Sequence, residues 1–482
     1  MVFSSTAFLF FFLPVTLLVY YLLRGIPAKN AWLLAVSIIF FGWSQPQYVW
    51  IILASIIINY LSAILVDRFQ KDNGDAKAIH TTASKLVLAI SVCANLGLLF
   101  YFKYFDFVIE SVNSITGSKF ELQNIVLPIG ISFFTFQGMS YVIDVFRRDV
   151  EVQKNPFKTA LYIVLFPQLI AGPIVRYRDI EIEVSDRSVS IPDISSGITR
   201  FIIGLGKKAI IANTMAEIAD GIWTAGISNN TVAIAWLGSI AYSLQIFYDF
   251  SGYSDMAIGI GKMLGFHFCE NFDRPYISKD ITEFWRRWHM SLSTWFRDYV
   301  YIPLGGNRKH LYRNLLTIFL LTGLWHGAAW HYVFWGLWNG VFIVIERLLR
   351  SKNKNKNKEK KPVQTILSHI YALLVINFGW VLFRADTITD GIGYMKTMLG
   401  MGLSQTPGFT IFWYINRWVI FIMIVAVLDI TGIFKKLTGK ISMTLPKTGY
   451  TIIKYGFVFV VFILAIMRVL SGTYNPFIYF QF

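Results

Sequence analysis

The residues best suited to chemistry in this chain are two histidines set in apolar, tryptophan-rich sequence. His326 lies in LTGLWHGAAWHYVFWGLWN (residues 321–339), inside a stretch from 314 to 345 that holds no Asp, Glu, Lys or Arg. Burial there favours the neutral imidazole, which is the form a general base needs. Gly327 beside it has no side chain and so leaves room for a ligand next to the ring. Helix geometry would set Gly323, Gly327 and Trp330 on the same face, whereas His331, five residues on, need not point the same way. Trp325 and Asn339 belong to the same cluster as candidate supporting residues. His289 lies in DITEFWRRWHMSLSTWFRDYVY (residues 280–301). Asp280 can cap the start, and Trp285, Trp288, His289, Leu292, Trp295, Phe296 and Tyr299 recur at helical spacing on one face, with Arg286, Ser293 and Arg297 opposite. This describes one amphipathic helix lying in a membrane interface, with His289 pointing into protein. Taken alone, His289 is better explained as a satisfied structural histidine.

Two carboxylates, Asp249 and Asp255, follow a strongly apolar run in QIFYDFSGYSDMAIGIGKMLG (residues 245–265). Charges inside membrane segments are costly enough to suggest function, although capping or stapling of helices at the interface would account for both. In FPQLIAGPIVRYR (residues 166–178), Pro167 and Pro173 with Gly172 between them cannot share one regular helix, so the backbone must turn or kink there. Cys93 and Cys269 have no C-x-x-C spacing, so neither a disulfide framework nor a metal site is implied.

The elements that must hold these residues are membrane helices. Of 482 residues 55% are hydrophobic and only 15% charged, against roughly 25% charged in a soluble domain, which argues against a soluble enzyme. Stretches free of Asp, Glu, Lys and Arg cover 1–23, 30–66, 86–102, 122–143, 159–175, 221–248, 314–345, 362–383 and, broken only by Arg417, 405–428. One crossing takes ~20 apolar residues. The stretches 30–66 and 314–345 are too long for one helix and carry breakers (Gly42 to Pro46; Gly323, Gly327, Gly336), so each should divide. With a last helix near 451–470 and weaker candidates near 194–216 and 249–266, the expected total is about ten to thirteen membrane segments. The N-terminal stretch lacks a basic flank and a small-residue cleavage site, so it reads as a first helix.

Lys and Arg number 44 against 28 Asp and Glu. The basic residues gather in short loops (Arg24 and Lys29, Arg68 to Lys85, Arg147 and Arg148, Arg308 to Arg313, Lys352 to Lys361, Lys435 to Lys440), the distribution expected of cytoplasmic loops rather than of nucleic-acid binding. SKNKNKNKEKK (residues 351–361) reads as a Lys/Asn-rich cytoplasmic linker in an otherwise single membrane domain spanning 1–482. Neither a fixed-period repeat nor a pairing of similar halves is visible, which weakens a secondary-transporter reading.

The segments FPQLIAGPIVR, QIFYDFSGYSDMAIG, FWRRWHMSLSTWFRDYVYIPLGGNR, LTGLWHGAAW, NFGWVLFRA (residues 377–385) and the terminal PFIYFQF, in that order, resemble the membrane-bound O-acyltransferase family. The likeness is strongest to the bacterial branch containing the alginate O-acetyltransferase membrane subunit and the peptidoglycan O-acetyltransferase. It runs from the opening MVFSS to the final FQF, and only the Lys/Asn linker looks peculiar to this chain. The resemblance implies an all-α polytopic fold, a ring of about eleven transmembrane helices with re-entrant and interfacial helices around a central cavity. It also implies that His326 is the catalytic histidine and His289 the second motif histidine.

From that resemblance a chemistry follows. An acyl thioester, acetyl-CoA, serves as donor substrate rather than as a permanently bound cofactor, and it approaches from the cytoplasmic side where Arg286, Arg287, Arg297 and Arg308 could attract its phosphates. His326 acts as base, His289 orients it or stabilises an oxyanion, and Asp249, Asp255, Asn339 and Trp325 are second-line candidates around them. The acceptor would be an envelope polysaccharide outside the bacterial cytoplasmic membrane, reached directly or through a periplasmic or extracellular O-acetyltransferase partner. A non-enzymatic transporter or flippase of acyl groups or glycans is the rival class. A polyprenyl-phosphate glycosyltransferase would want an acidic base on an external loop after the first helix, and no acidic residue occurs before Asp67.

Overall fold

A computed structural model of the chain describes residues 1–70, 80–226, 229–352, 362–401, 409–472 and Ile478. Among the described residues the chain is helical, without a strand. Among the same residues five helices are long and apolar enough to cross a membrane (Pro46–Phe69, Thr82–Thr116, Trp330–Arg350, Pro362–Arg384 and Lys447–Leu470), and the pair Arg417–Ile430 and Ile433–Thr444, bent by 70°, makes a sixth if it is one span. Phe8–Leu22 and Ile26–Gly42 are apolar but shorter. The uncharged stretches suggest more segments than this because several of them are divided: 159–175, for instance, leaves helical geometry after Leu169. Contacts separate the chain into two units, 1–201 with 254–269, and 202–253 with 270–482.

In the first unit the stretch 30–66 divides as its breakers require, into α1 (Ile26–Gly42) and α2 (Val49–Phe69) joined through a 3₁₀ turn at Pro46–Tyr48. α2 packs against Thr82–Leu99 and α3 (Ile131–Arg147). Apolar surface gives helices no preference for one another over lipid, so polar pairs and small residues must supply it. Asn59 and Asn95 exchange side-chain amide hydrogen bonds of 3.0 Å in both directions, and a Cβ at Gly138 of α3 would overlap the Asn59 amide. The segment FPQLIAGP turns as its prolines demand. Helix Pro156–Val164 stops, one turn forms at Phe166–Leu169, and the chain stays irregular until Tyr177. Phe166, Gln168, Leu169 and Ala171 are fully buried, so protein covers this backbone.

The second unit carries the histidines. The part of α4 (Val232–Met263) up to Tyr253 belongs to it; the residues around Asp249 and Asp255 continue this one 32-residue helix and do not start a separate segment at 249. The single amphipathic helix expected across 280–301 is instead two short ones, α5 (Ile281–Arg287) and α6 (Met290–Phe296), followed by a π-turn at Arg297–Tyr301. Trp288 is extended and His289 takes the left-handed conformation at φ 44°, which costs a non-glycine residue about 1–2 kcal/mol. The segment before α5 makes up the lost helical hydrogen bonds, because Met290 N–H donates to the Asn271 carbonyl and Asp273 N–H to the Arg287 carbonyl, both at 2.9 Å.

The stretch 314–345 divides at Gly327 into α7 (Leu311–His326) and α8 (Trp330–Lys352). Their backbones touch: a Cβ on Gly323 would strike the Tyr332 carbonyl, and one on Gly336 the Phe319 carbonyl. Gly327 is extended, at φ −162°, so Gly327 and Trp330 do not share a helical face with His326. The space beside Gly327 is not open either, since a Cβ there would overlap the Tyr332 ring. α9 (Pro362–Arg384) packs on α8 and α5. Of the Lys/Asn-rich linker, residues 353–361 lie outside the described residues, as does the terminal PFIYFQF apart from Ile478.

Candidate active site

His326 is the last residue of α7 and His289 sits in the break between α5 and α6. Both are buried, at 7% and 1% exposure. Three rings stand edge-on to His326, with centroids 5.0 Å away for Trp325, 5.1 Å for Trp335 and 5.2 Å for Phe383. Trp325 also lies edge-on to His289 at 5.8 Å, and Phe250 from α4 closes on His289 at 4.6 Å. One tryptophan therefore touches both imidazoles, and His326 acts electrostatically on His289. The wall continues through Trp285, Trp288 and Trp380, with Trp285 and Trp335 at 5.5 Å and Trp288 and Trp380 at 4.8 Å. A base in such a wall works in a medium of low dielectric, where charge that develops in a transition state is strongly felt.

Helix ends and caps fix this arrangement. Asp280 caps α5 as its sequence position suggests, accepting from Glu283 N–H at 2.7 Å. Glu346 of α8 accepts from Ile281 N–H at 2.7 Å and from the Thr282 hydroxyl at 3.1 Å, and Arg350 spans to Asp280 at 2.6 Å. The N-terminus of α5 is thus tied to α8, the helix that interlocks with α7.

The second-line residues have other tasks. Asn339 accepts from Trp285 Nε1 at 3.2 Å and donates to the Trp335 carbonyl at 2.9 Å, so it joins α5 to α8 through the aromatic wall. Asp249, 1% exposed, is ion-paired with Lys208 at 2.7 Å and accepts from Ile478 N–H at 2.8 Å. Asp255 pairs with Arg200 at 2.9 Å in the first unit. These pairings make stapling the direct account of both carboxylates.

Of the four arginines, Arg286 and Arg287 line a cavity of about 440 Å³ together with Asp280, Thr282, Glu283 and Arg350. Arg287 is held by Asp273 at 2.9 Å and Glu283 at 3.0 Å. Burial alone would raise the Glu283 carboxyl, but the Lys279 N–H and Arg287 hold it below the usual carboxylate range. Arg286 is exposed and has no ion-pair partner among the described residues. Arg297 pairs with its neighbour Asp298 at 2.7 Å, and Arg308 is exposed in the turn after Gly305 and Gly306, both at positive φ.

Sequence reasoning missed Asn271. Its Oδ1 lies 3.1 Å from His289 Nδ1 and accepts from the Ser291 hydroxyl at 2.9 Å and the Ser291 N–H at 3.3 Å. His289 Nε2 is buried and meets no hydrogen-bond partner among the described residues. An uncharged amide in the loop before Pro275 carries no pattern that would single it out.

Two buried imidazoles thus share a tryptophan wall, on helices fastened by caps and glycine contacts, inside a multi-pass membrane protein. Residues 147–384, which include Asn271, His289 and His326, match the membrane-bound O-acyltransferase family. The chain is 42% identical to a probable alginate O-acetylase of Azotobacter vinelandii over 83% of its own length and 79% of that protein's. A probable alginate O-acetylase of Pseudomonas putida is 38% identical over the full length of both chains. The peptidoglycan O-acetyltransferase of Helicobacter pylori is 35% identical over 83% of this chain and 80% of its own. The chain belongs to the membrane-bound O-acyltransferase family and is an O-acetyltransferase of the branch that holds these relatives.

Proposed function

We propose that the protein moves an acetyl group from a cytoplasmic thioester, acetyl-CoA, to hydroxyls of a polysaccharide outside the bacterial cytoplasmic membrane, directly or through a partner O-acetyltransferase. The observation that carries this reading is the pair His326 and His289 buried in one aromatic enclosure. The names of the relatives, which act on alginate and peptidoglycan, point to an envelope glycan as acceptor. His326 takes the proton of the acceptor hydroxyl as its oxygen bonds to the thioester carbonyl carbon; the carbon–sulfur bond then breaks, and the imidazolium returns the proton to the leaving thiolate. His289, whose ring meets the same Trp325 as His326, assists. Arg286, exposed and without an ion-pair partner among the described residues, leads the cations at the cavity of about 440 Å³ in drawing in the donor's phosphates.

Reconstituted protein supplied with acetyl-labelled CoA tests the reading. Removing a general base costs ~10²–10⁴-fold, so His326→Ala should lose acetyl transfer by that order, and His289→Ala should also fall well below wild type. Equal labelling of product by all three proteins overturns the assignment. A transporter of acyl groups or glycans, by contrast, would keep acetyl transfer from acetyl-CoA intact in His326→Ala.

A further inference from the structure

The hydrogen bonds around Asn271 determine which nitrogen of His289 carries its proton. A backbone N–H can only donate, so the Asn271 side-chain atom that faces Ser291 N–H at 3.3 Å is the amide oxygen. That oxygen can only accept. His289 Nδ1, 3.1 Å away, must therefore donate to it, and a neutral imidazole with its proton on Nδ1 has its lone pair on Nε2. Nε2 is the ring nitrogen that is buried and meets no partner among the described residues. The same loop also holds the backbone at the break, through Met290 N–H to the Asn271 carbonyl at 2.9 Å, so one residue fixes both the ring's tautomer and its place. Asn271 is itself 1% exposed.

We propose that Asn271 is a positioning residue that locks His289 in the Nδ1–H tautomer, presenting Nε2 as a hydrogen-bond acceptor toward the reacting groups. This rests on the active-site role of His289 proposed above and narrows it. A neutral His289 with no hydrogen on Nε2 cannot donate to an oxyanion. It can hold an acceptor hydroxyl, or an N–H of His326, in line by accepting from it. His326 is the titratable group that acts on the ring. From α4 it meets Phe250, whose neighbour Asp249 is paired with Lys208, and in the preceding loop Asp273 is paired with Arg287.

Three variants and one spectrum test this. Asn271→Leu removes the acceptor and should lower kcat at least tenfold with little change in KM for acetyl-CoA. Asn271→Asp keeps an acceptor of the same shape but adds negative charge, so it should retain more activity than Asn271→Leu while the acidic limb of its kcat–pH profile moves up by a unit or more. Nitrogen NMR of histidine-labelled protein, with the signal assigned by its loss in His289→Ala, should show the Nδ1–H form. An Nε2–H signal overturns the proposal, as does an Asn271→Asp profile that coincides with wild type. If His289→Ala keeps full kcat, the active-site role itself fails; if His289→Ala is inactive while both Asn271 variants turn over like wild type, only the positioning role fails.

Discussion

Arg286 and Arg297 carry the same charge, yet their surroundings assign them different weights. Arg297 is already paired with Asp298, whereas Arg286 lines the 440 Å³ cavity without an ion-pair partner among the described residues. Arg286→Ala should therefore raise KM for acetyl-CoA several-fold and flatten its dependence on ionic strength while leaving kcat close to wild type; Arg297→Ala should do much less. A phosphate contact of this kind is a charge-assisted bond worth ~1.5–3 kcal/mol at most. Kinetics at two salt concentrations decide the point, and equal effects of the two substitutions would remove Arg286 from the donor site. His326 stood out in the sequence as a candidate because an ionisable residue in a stretch without Asp, Glu, Lys or Arg has few bland explanations, and the structure finds it buried among aromatic rings. Asn271 did not stand out, since what marks it is a contact with a histidine eighteen positions away across a break that no pattern announces.

At the scale of elements, composition located the helices better than it located their interruptions. Glycines and a proline marked the divisions at Gly42 to Pro46 and at Gly327, and the structure breaks there. The break at His289 lay hidden inside a perfect amphipathic spacing, because a left-handed histidine is imposed by its partners in the preceding loop and not by its own preference. Conversely, the aspartates at 249 and 255 suggested a segment boundary in what is one helix, since hydropathy cannot see that Lys208 and Arg200 neutralise them. The glycines of α7 and α8 permit a sharper test. Gly336→Ala would push a methyl into the Phe319 carbonyl and force the two helices apart, an overpacking that costs ~1–3 kcal/mol and displaces His326. Gly439→Ala has nothing within 4 Å to meet and lies in helix Ile433–Thr444, where alanine gains ~0.5–1 kcal/mol over glycine. The first variant should melt lower in detergent and lose activity; the second should melt at or above wild type with activity intact. Two variants that behave alike would mean that the α7 and α8 backbones do not meet closely.

At the scale of the whole molecule, the charge-poor composition and the basic surplus answer different needs. The 15% of charged residues leaves an uncharged surround for the two buried imidazoles, and the excess of 44 basic over 28 acidic residues falls in short clusters of the kind the positive-inside rule assigns to the cytoplasm, although Lys435 to Lys440, expected in a loop, lie in helix Ile433–Thr444. Those clusters include the run of lysines that follows α8 in sequence and the turn that holds Arg308. With acetyl-CoA as the donor proposed above, its phosphates are drawn to one side only, while CoA, large and highly charged, cannot follow the acetyl group through apolar protein and lipid. Acetyl transfer should consequently be sided. Inverted membrane vesicles, which turn the cytoplasmic face outward, should use externally added labelled acetyl-CoA and deliver label to acceptor glycan enclosed within them. Right-side-out vesicles given the same donor should transfer almost nothing until they are permeabilised. Free labelled CoA should stay on the side where it was added in both cases. Equal transfer by intact vesicles of either orientation would contradict the arrangement of the basic loops, and accumulation of CoA itself inside the vesicles would replace group transfer by transport.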